Sequence, residues 1–300
     1  MTALLLGALG LTLSLVVPGI LAEARWPDRT PVAAVVLWQA ITLAAVLSAL
    51  GVVLAAPEEL TRAAGSGQPV AAAALIGALA VAATIVLRLL ASLHRVSSRS
   101  RVRRDRHRTL VDLLDRAEQH LEIGPEHLRV LDGALPLAYC VPGRDPRVVL
   151  SGGVLRVLDS GQVDAVIAHE QAHLRHRHDL VMESFTAFHR AVPGFLRSRT
   201  PLYAVHLLLE MVADDAARRR TGPAPLWAAL DRLTEAVPLT EEVAPSTDAR
   251  RRRLDRLTPS HIPSVLLSTL AVAAAAGVLV LPTVILVVPW LGRALTTWPF

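Results

Sequence analysis

The sequence predicts an α-helical membrane protein with four transmembrane helices and one helix-rich α+β domain between the third and the fourth. Three observations predict it. Hydrophobic residues make up 52% of the 300-residue chain and the mean hydropathy is +0.44, too apolar for an ordinary soluble domain. The excess sits in four runs without a charged residue: Thr2–Ala22, Val32–Ala56, Val70–Leu87 and Ile262–Leu291. A helix crosses the hydrocarbon core with ~20 such residues, and four such runs exceed what one soluble core of this size could bury. The segment 94–261 differs: it carries most of the charge and is long enough for a core of its own.

In chain order, residues 1–93 hold three spans (about 2–22, 32–56 and 69–93), 94–261 the domain, 262–291 the fourth span and 292–300 a short outer tail. The first run has no basic stretch before it and more spans follow, so it does not read as a simple signal peptide. The loops Glu23–Pro31 and Pro57–Gln68 are too short to fold alone. Within the domain, Leu110, Leu113, Leu114, Ala117 and Leu121 stand at helical spacing and predict an amphipathic helix over Arg108–Ile123. Leu128–Leu131, Leu137–Val141 and Arg147–Leu150 are apolar runs bounded by Gly, Pro and Asp, and read as strands. "DSGQ" (Asp159–Gln162) is a capping box opening a helix from about Gly161. Pro201–Arg220 is a further helix, halted by Thr221-Gly222-Pro223, and Leu226–Val237 another. The last run, at ~1.5 Å per residue, exceeds the hydrocarbon thickness and should tilt or bend at Pro282.

The basic residues are all arginine, and the formal net charge is +5. Seven arginines lie between Arg95 and Arg108, and five more at Arg250–Arg253 and Arg256. Both clusters flank a membrane span, so they read as the positive-inside signal; direct nucleic-acid binding is not expected. With Arg25 and Arg29 they place the domain in the cytoplasm and both termini outside, where only Arg62 and Arg293 fall. The expected location is the plasma membrane, with the lipid bilayer as partner. The lone Cys140 suits a reducing compartment.

The chemistry begins at "AHEQAHLRHRHDL", Ala168–Leu180. His169 and His173 are four apart, so on a helix they leave from one face and can share one Zn²⁺. Glu170 lies beside the first, able to reach a water at the metal without ligating it. This is the HExxH arrangement of zinc peptidases. A third ligand is required. The extension of HExxH by xxGxxH puts His176 at the glycine position and Asp179 last. Without glycine the chain is not expected to turn there, and this scheme is set aside. Downstream, "LLLEMVADDAARRR" offers Glu210 as a carboxylate ligand and Asp214, one turn later, as acceptor for the other ring N–H of a ligating histidine. Tyr203 and His206, on the same helix, are the candidates for stabilising an oxyanion. His176 and His178 read as a polar helix end, Cys140 as a small buried residue.

With these residues on the page, "LPLAYCVPGRDPRVVLSGGVLRVLDSGQVDAVIAHEQAHLRHRHDLV" and "LLLEMVADDAA" resemble the BlaR/MecR-type integral-membrane metallopeptidases. The resemblance implies a cytoplasmic gluzincin domain between the third and fourth spans. It implies zinc, one per chain, on His169, His173 and Glu210, Glu170 as catalytic base and Asp214 behind the ligands. It implies that substrate lies along an edge strand at Arg147–Gly152 (Arg147, Val148, Val149, Leu150). In the founding members an extracellular penicillin-binding sensor follows the last span. None is expected here, which leaves the stimulus open. The function expected on this basis is a regulatory zinc endopeptidase acting on a cytoplasmic protein, a BlaI/MecI-like winged-helix repressor. Two alternatives stand beside it. One is a Ste24/HtpX-type peptidase for membrane-protein quality control, which shares HExxH and the Glu-xxx-Asp pair. The other is a non-enzymatic membrane tether, against which the general base argues.

Overall fold

The computed structural model describes residues 1–117, 128–143, 145–194, 197–236, 247–258 and 264–297. They fall into two compact units. The first comprises Met1–Arg95, Ser184–Val205 and Ser264–Phe300; the second comprises Val96–Glu183 and His206–Pro263.

Among the described residues, four helices are long and apolar enough to cross a membrane: Thr2–Glu23, Pro31–Gly65, Pro69–Val102 and Val265–Pro289. The first consists of α1 (Thr2–Leu11), a π-helical turn over Thr12–Val16 and α2 (Val17–Glu23). Pro18 has no N–H for the Ser14 carbonyl and crowds it, and the wide turn ahead of it absorbs that misfit. The second, α3 (Pro31–Gly65), does not stop where the sequence places a loop. It runs through Pro57 because a proline interrupts one hydrogen bond while Ala55, Ala56, Glu58, Glu59 and Leu60 around it favour helix. The third, α4 (Pro69–Ala117), merges the expected span with most of the expected amphipathic helix. Its arginine-rich middle contains neither Gly nor Pro, and arginine is a good helix former. The remainder of that expected helix, 118–123, lies outside the described residues. The fourth, α11, runs Val265–Thr297 with Pro282 and Pro289 inside it, so helix replaces most of the expected tail.

Within the first unit, α1 and α11 pack on α3. Ala3, Leu6, Ala49, Val52 and Ala56 form the buried seam. Close approach depends on small residues, as it must in lipid, where burial from water contributes nothing. A Cβ on Gly51 would lie 2.8 Å from Leu6 Cδ1, and one on Gly10 3.2 Å from Ser48 Cβ. Ser184–Val205, inside the expected domain, clusters with the spans. Phe185 meets Trp38 edge-on at 6.3 Å, and Arg88, a charge inside the third span, donates from Nε to the Ala191 carbonyl at 2.7 Å.

The second unit holds a three-stranded sheet of β1 (Leu128–Leu131), β2 (Ala138–Val141) and β3 (Arg147–Ser151), in the order β1-β3-β2. β1 is parallel to β3 and β2 antiparallel to it. The sheet corrects one expectation. Arg147, Val148, Val149 and Leu150 lie in the central strand, paired on both sides, so they offer substrate no open edge. Val148–Ser151 are buried, as a central strand demands, while β2 is mostly half-buried. A short helix, α5 (Gly152–Val157), follows at once. Gly153 is obligatory there: a Cβ would sit 2.5 Å from the Ala134 carbonyl oxygen.

α6 (Ser160–Arg175) opens with the expected capping box. Gln162 N–H donates to Asp159 Oδ1 at 3.0 Å, and Asp159 N–H to Gln162 Oε1 at 3.3 Å. Then come α7 (His178–Ala191), α8 (Thr200–Thr221), α9 (Pro223–Ala236) and α10 (Thr247–Arg256). Gly222, at φ +85°, makes the break between α8 and α9. Ala165 and Ala168 of α6, Ala217 of α8, Leu226 of α9 and Leu257 form one buried cluster, which fixes α6 and α8 in register with α10.

Candidate metal centre

His169 and His173 project from one face of α6, as the four-residue spacing requires. Glu210 reaches them from α8, and these three are the one group of potential metal ligands found among the described residues. The two Nε2 atoms are 3.1 Å apart, and the Glu210 carboxylate oxygens are 3.5 Å from each. Ligands at 2.0–2.1 Å from a tetrahedral Zn²⁺ are separated by about 3.3 Å, so the donors already stand at the edge lengths of such a site.

The far side of each ring explains why both Nε2 lone pairs face inward. His169 Nδ1 lies 3.1 Å from Asp214 Oδ1, and Asp214 is 1% exposed. The His169 ring proton therefore belongs on Nδ1, facing a buried carboxylate. His173 Nδ1 lies 2.8 Å from Nδ1 of His178. At 3.1 Å the two Nε2 atoms can hold either a shared proton or a metal cation between them. Charge agrees: the buried group holds three carboxylates (Glu170, Glu210, Asp214) and one guanidinium (Arg253), an excess negative charge of two when all are ionised, which a divalent ion balances. The donor set fits zinc.

Arg253 is the residue that sequence reasoning missed. It belongs to an arginine cluster that reads as a membrane flank. Here it leaves α10 to grip Asp214 with two bonds of 2.8 Å, and it lies 2.9 Å from Glu210 Oε2. Only its partners distinguish it from Arg251, which is exposed on the same helix.

The electrostatics follow. Burial disfavours the charged form of His169, but Asp214 and Glu210 outweigh it and push the ring up to about 10. The pocket thus favours positive charge at this point. Burial holds His173 down at about 4. Glu210 and Asp214 are held well below the usual carboxylate range despite burial, Glu210 by His169 and Arg253, Asp214 by Arg253 first. Glu170 goes the other way: burial raises it, Glu210 adds repulsion, and His169 only partly offsets this. A raised carboxyl beside the ligands suits a general base. Its neighbour is Cys140 of β2, whose thiol burial pushes up to about 12. The thiol is therefore an S–H donor to Glu170 and not a nucleophile.

Tyr203 and His206 are both exposed on α8, and the cation inside the group is Arg253. The turn that His176 was expected to forbid does occur, one residue later. Arg177 takes the left-handed conformation (φ 52°) and α7 starts at once, but Asp179 pairs with Arg104 at 3.1 Å, leaving the third ligand to Glu210.

Residues 100–213 match peptidase family M48. The match contains His169, Glu170, His173 and Glu210 and ends one residue before Asp214. A protease HtpX homolog of Acidiphilium cryptum is 36% identical over 76 residues, 24% of this chain and 26% of that protein. One of Thermodesulfovibrio yellowstonii is 31% identical over 81 residues, 26% of this chain and 28% of that protein. The chain thus spans about a quarter of the length of the curated relatives it matches. No solved structure matches it. The M48 match, the relatives and the donor set all speak for a metalloprotease with membrane helices.

Proposed function

We propose that this chain is a membrane zinc endopeptidase of the HtpX type, acting on loosely folded or membrane proteins. The observation that carries the reading is the convergence of His169, His173 and Glu210 at zinc-ligand spacing with a raised carboxyl, Glu170, at their side. Zinc held by His169, His173 and Glu210 would supply a Lewis acid for the scissile carbonyl and a water acidic enough to react near neutral pH. Glu170 takes the proton of that water and delivers it to the leaving amine, so peptide and water become acid and amine with the base regenerated. Cys140 steadies the carboxylate by donating its S–H. Arg253 holds Asp214 and Glu210, and Asp214 orients His169.

Substrate pairs with β2. The Ser151 N–H donates to the Leu137 carbonyl at 2.9 Å, so Leu137, Tyr139 and Val141 turn their backbone groups toward β3. Ala138 and Cys140 turn theirs to the side that no described strand occupies. Cys140 also touches Glu170, so a peptide added there runs beside the base. Main-chain pairing confers little sequence selectivity, which suits substrates of many sequences. In this reading the centre faces the cytoplasm, which the arginine flanks support; an extracytoplasmic signal from a reporter near Ser246 would refute that.

The test is Glu170→Gln. It keeps the shape and removes the base, so cleavage of casein should fall by at least ~10²-fold with zinc content unchanged. Cleavage near the wild-type rate would end the peptidase reading and leave the tether. One observation favours a second reading, the regulatory BlaR/MecR type: the ligands lie between candidate spans three and four. Single-site cleavage of one folded cytoplasmic protein, with casein untouched, would select it.

A further inference from the structure

Both ligating histidines need something behind them, and the structure supplies it in two different ways. His169 rests on a carboxylate, Asp214. His173 rests on a second imidazole: its Nδ1 is 2.8 Å from Nδ1 of His178, with the rings perpendicular and their centroids 4.7 Å apart. His178 is 5% exposed, not the solvated helix end that its sequence neighbours suggest. The backbone is arranged to put it there. α6 ends at Arg175 with His176 as its C-cap, Arg177 takes φ 52°, a conformation that costs a non-glycine residue energy, and the first residue of α7 comes back onto His173. The first turn of α7 is then anchored, because Arg104 binds both Asp179 at 3.1 Å and Glu183 at 2.5 Å. The His176 ring stacks on His178 at 5.8 Å.

We infer that His178 is the positioning residue of His173, accepting the Nδ1 proton of that ligand and so turning its Nε2 lone pair to the metal. The role dictates its tautomer: Nδ1 of His178 accepts, so its own proton stays on Nε2. The centre is thereby asymmetric. A carboxylate behind His169 makes that ligand the stronger electron donor, and a neutral imidazole behind His173 makes that one weaker. The inference rests on the zinc reading of the site but not on proteolysis, so its test reads metal binding.

The experiment uses the full chain in detergent, with zinc affinity measured by chelator competition and Co²⁺ absorption as a report of the ligand field. His178→Leu removes the acceptor and should weaken zinc binding about 10- to 100-fold, with displaced Co²⁺ bands. His178→Asn returns an acceptor oxygen of similar reach and should recover affinity to within about threefold of the wild type. Equal impairment in Leu and Asn variants would show that His178 matters only as packing, and a Leu variant within twofold of the wild type would show that it does not matter at all. Either result overturns the inference. If the Leu variant does not fold, the Asn variant still decides: tenfold weakening with unchanged secondary structure is a failure. Undiminished proteolysis in Glu170→Gln with normal zinc binding would end the peptidase reading and leave this inference untouched, so the two readings fail separately.

Discussion

Replacing Arg253 by methionine tests how the centre is held together. The guanidinium side chain is 15% exposed and meets a side chain, Asp214, that is 2% exposed, through two bonds of 2.8 Å. Removing one partner of a buried pair leaves the other charged without compensation, at about 3–5 kcal/mol. His169 Nδ1 remains 3.1 Å from Asp214, so the lower end, about 3 kcal/mol, is expected. The pH dependence carries the stronger test. In the wild type Asp214 is depressed below 3.8, chiefly by Arg253 acting against burial. Its contribution is present above the unfolded pKa and is lost as pH falls through the folded one. In the methionine variant burial acts with less opposition, and the folded pKa rises. The ionised carboxyl then destabilises the protein at neutral pH, and the penalty fades on acidification. The cost of the substitution should be greatest near pH 7 and smaller near pH 4.5. Urea unfolding of detergent-solubilised full chain, read by pulse proteolysis with zinc chelated, gives the cycle of wild type, Arg253→Met, Asp214→Asn and the double variant. A coupling energy below about 0.5 kcal/mol at pH 7, or one that does not change with pH, would refute the reasoning.

Three further outcomes follow from the sheet. Ala138→Pro removes an outward N–H while sparing the ladder to β3, and should lower kcat/KM on a peptide about 3- to 10-fold, the worth of one main-chain bond, with zinc binding retained. By contrast Val149, 1% exposed and paired with Tyr139 in the central strand, should not tolerate proline at all; a folded, fully active Val149→Pro protein would contradict the strand order. The Cys140 thiol is raised from 9.0 to about 12, so native protein at pH 8 should react with iodoacetamide roughly 10³-fold more slowly than unfolded protein. A native rate within tenfold of the unfolded one would place the thiol elsewhere.

Some of this protein is written in local spacing. The apolar runs give the spans, because hydrocarbon thickness sets a length that composition alone can meet. Asp159 and Gln162 mark where α6 starts, since a capping box closes within four residues. His169 and His173 share a face because 3.6 residues make a turn, and the same period sets Glu210 and Asp214 one above the other. What the spacing could not decide is which separate elements meet. That β3 is central and β2 has no described strand beyond it depends on pairing between strands distant in sequence, which three similar apolar runs leave undetermined. Among the arginines of α10, only packing through Leu257, Ala217 and Ala168 directs Arg253 onto Asp214 and leaves Arg251 in solvent. His178 looks like a solvated helix end until the left-handed turn at Arg177 folds it back on His173. These contacts arise from long-range burial of charge and ring nitrogens, and a buried polar group is placed by the partner that satisfies it, not by its sequence neighbours.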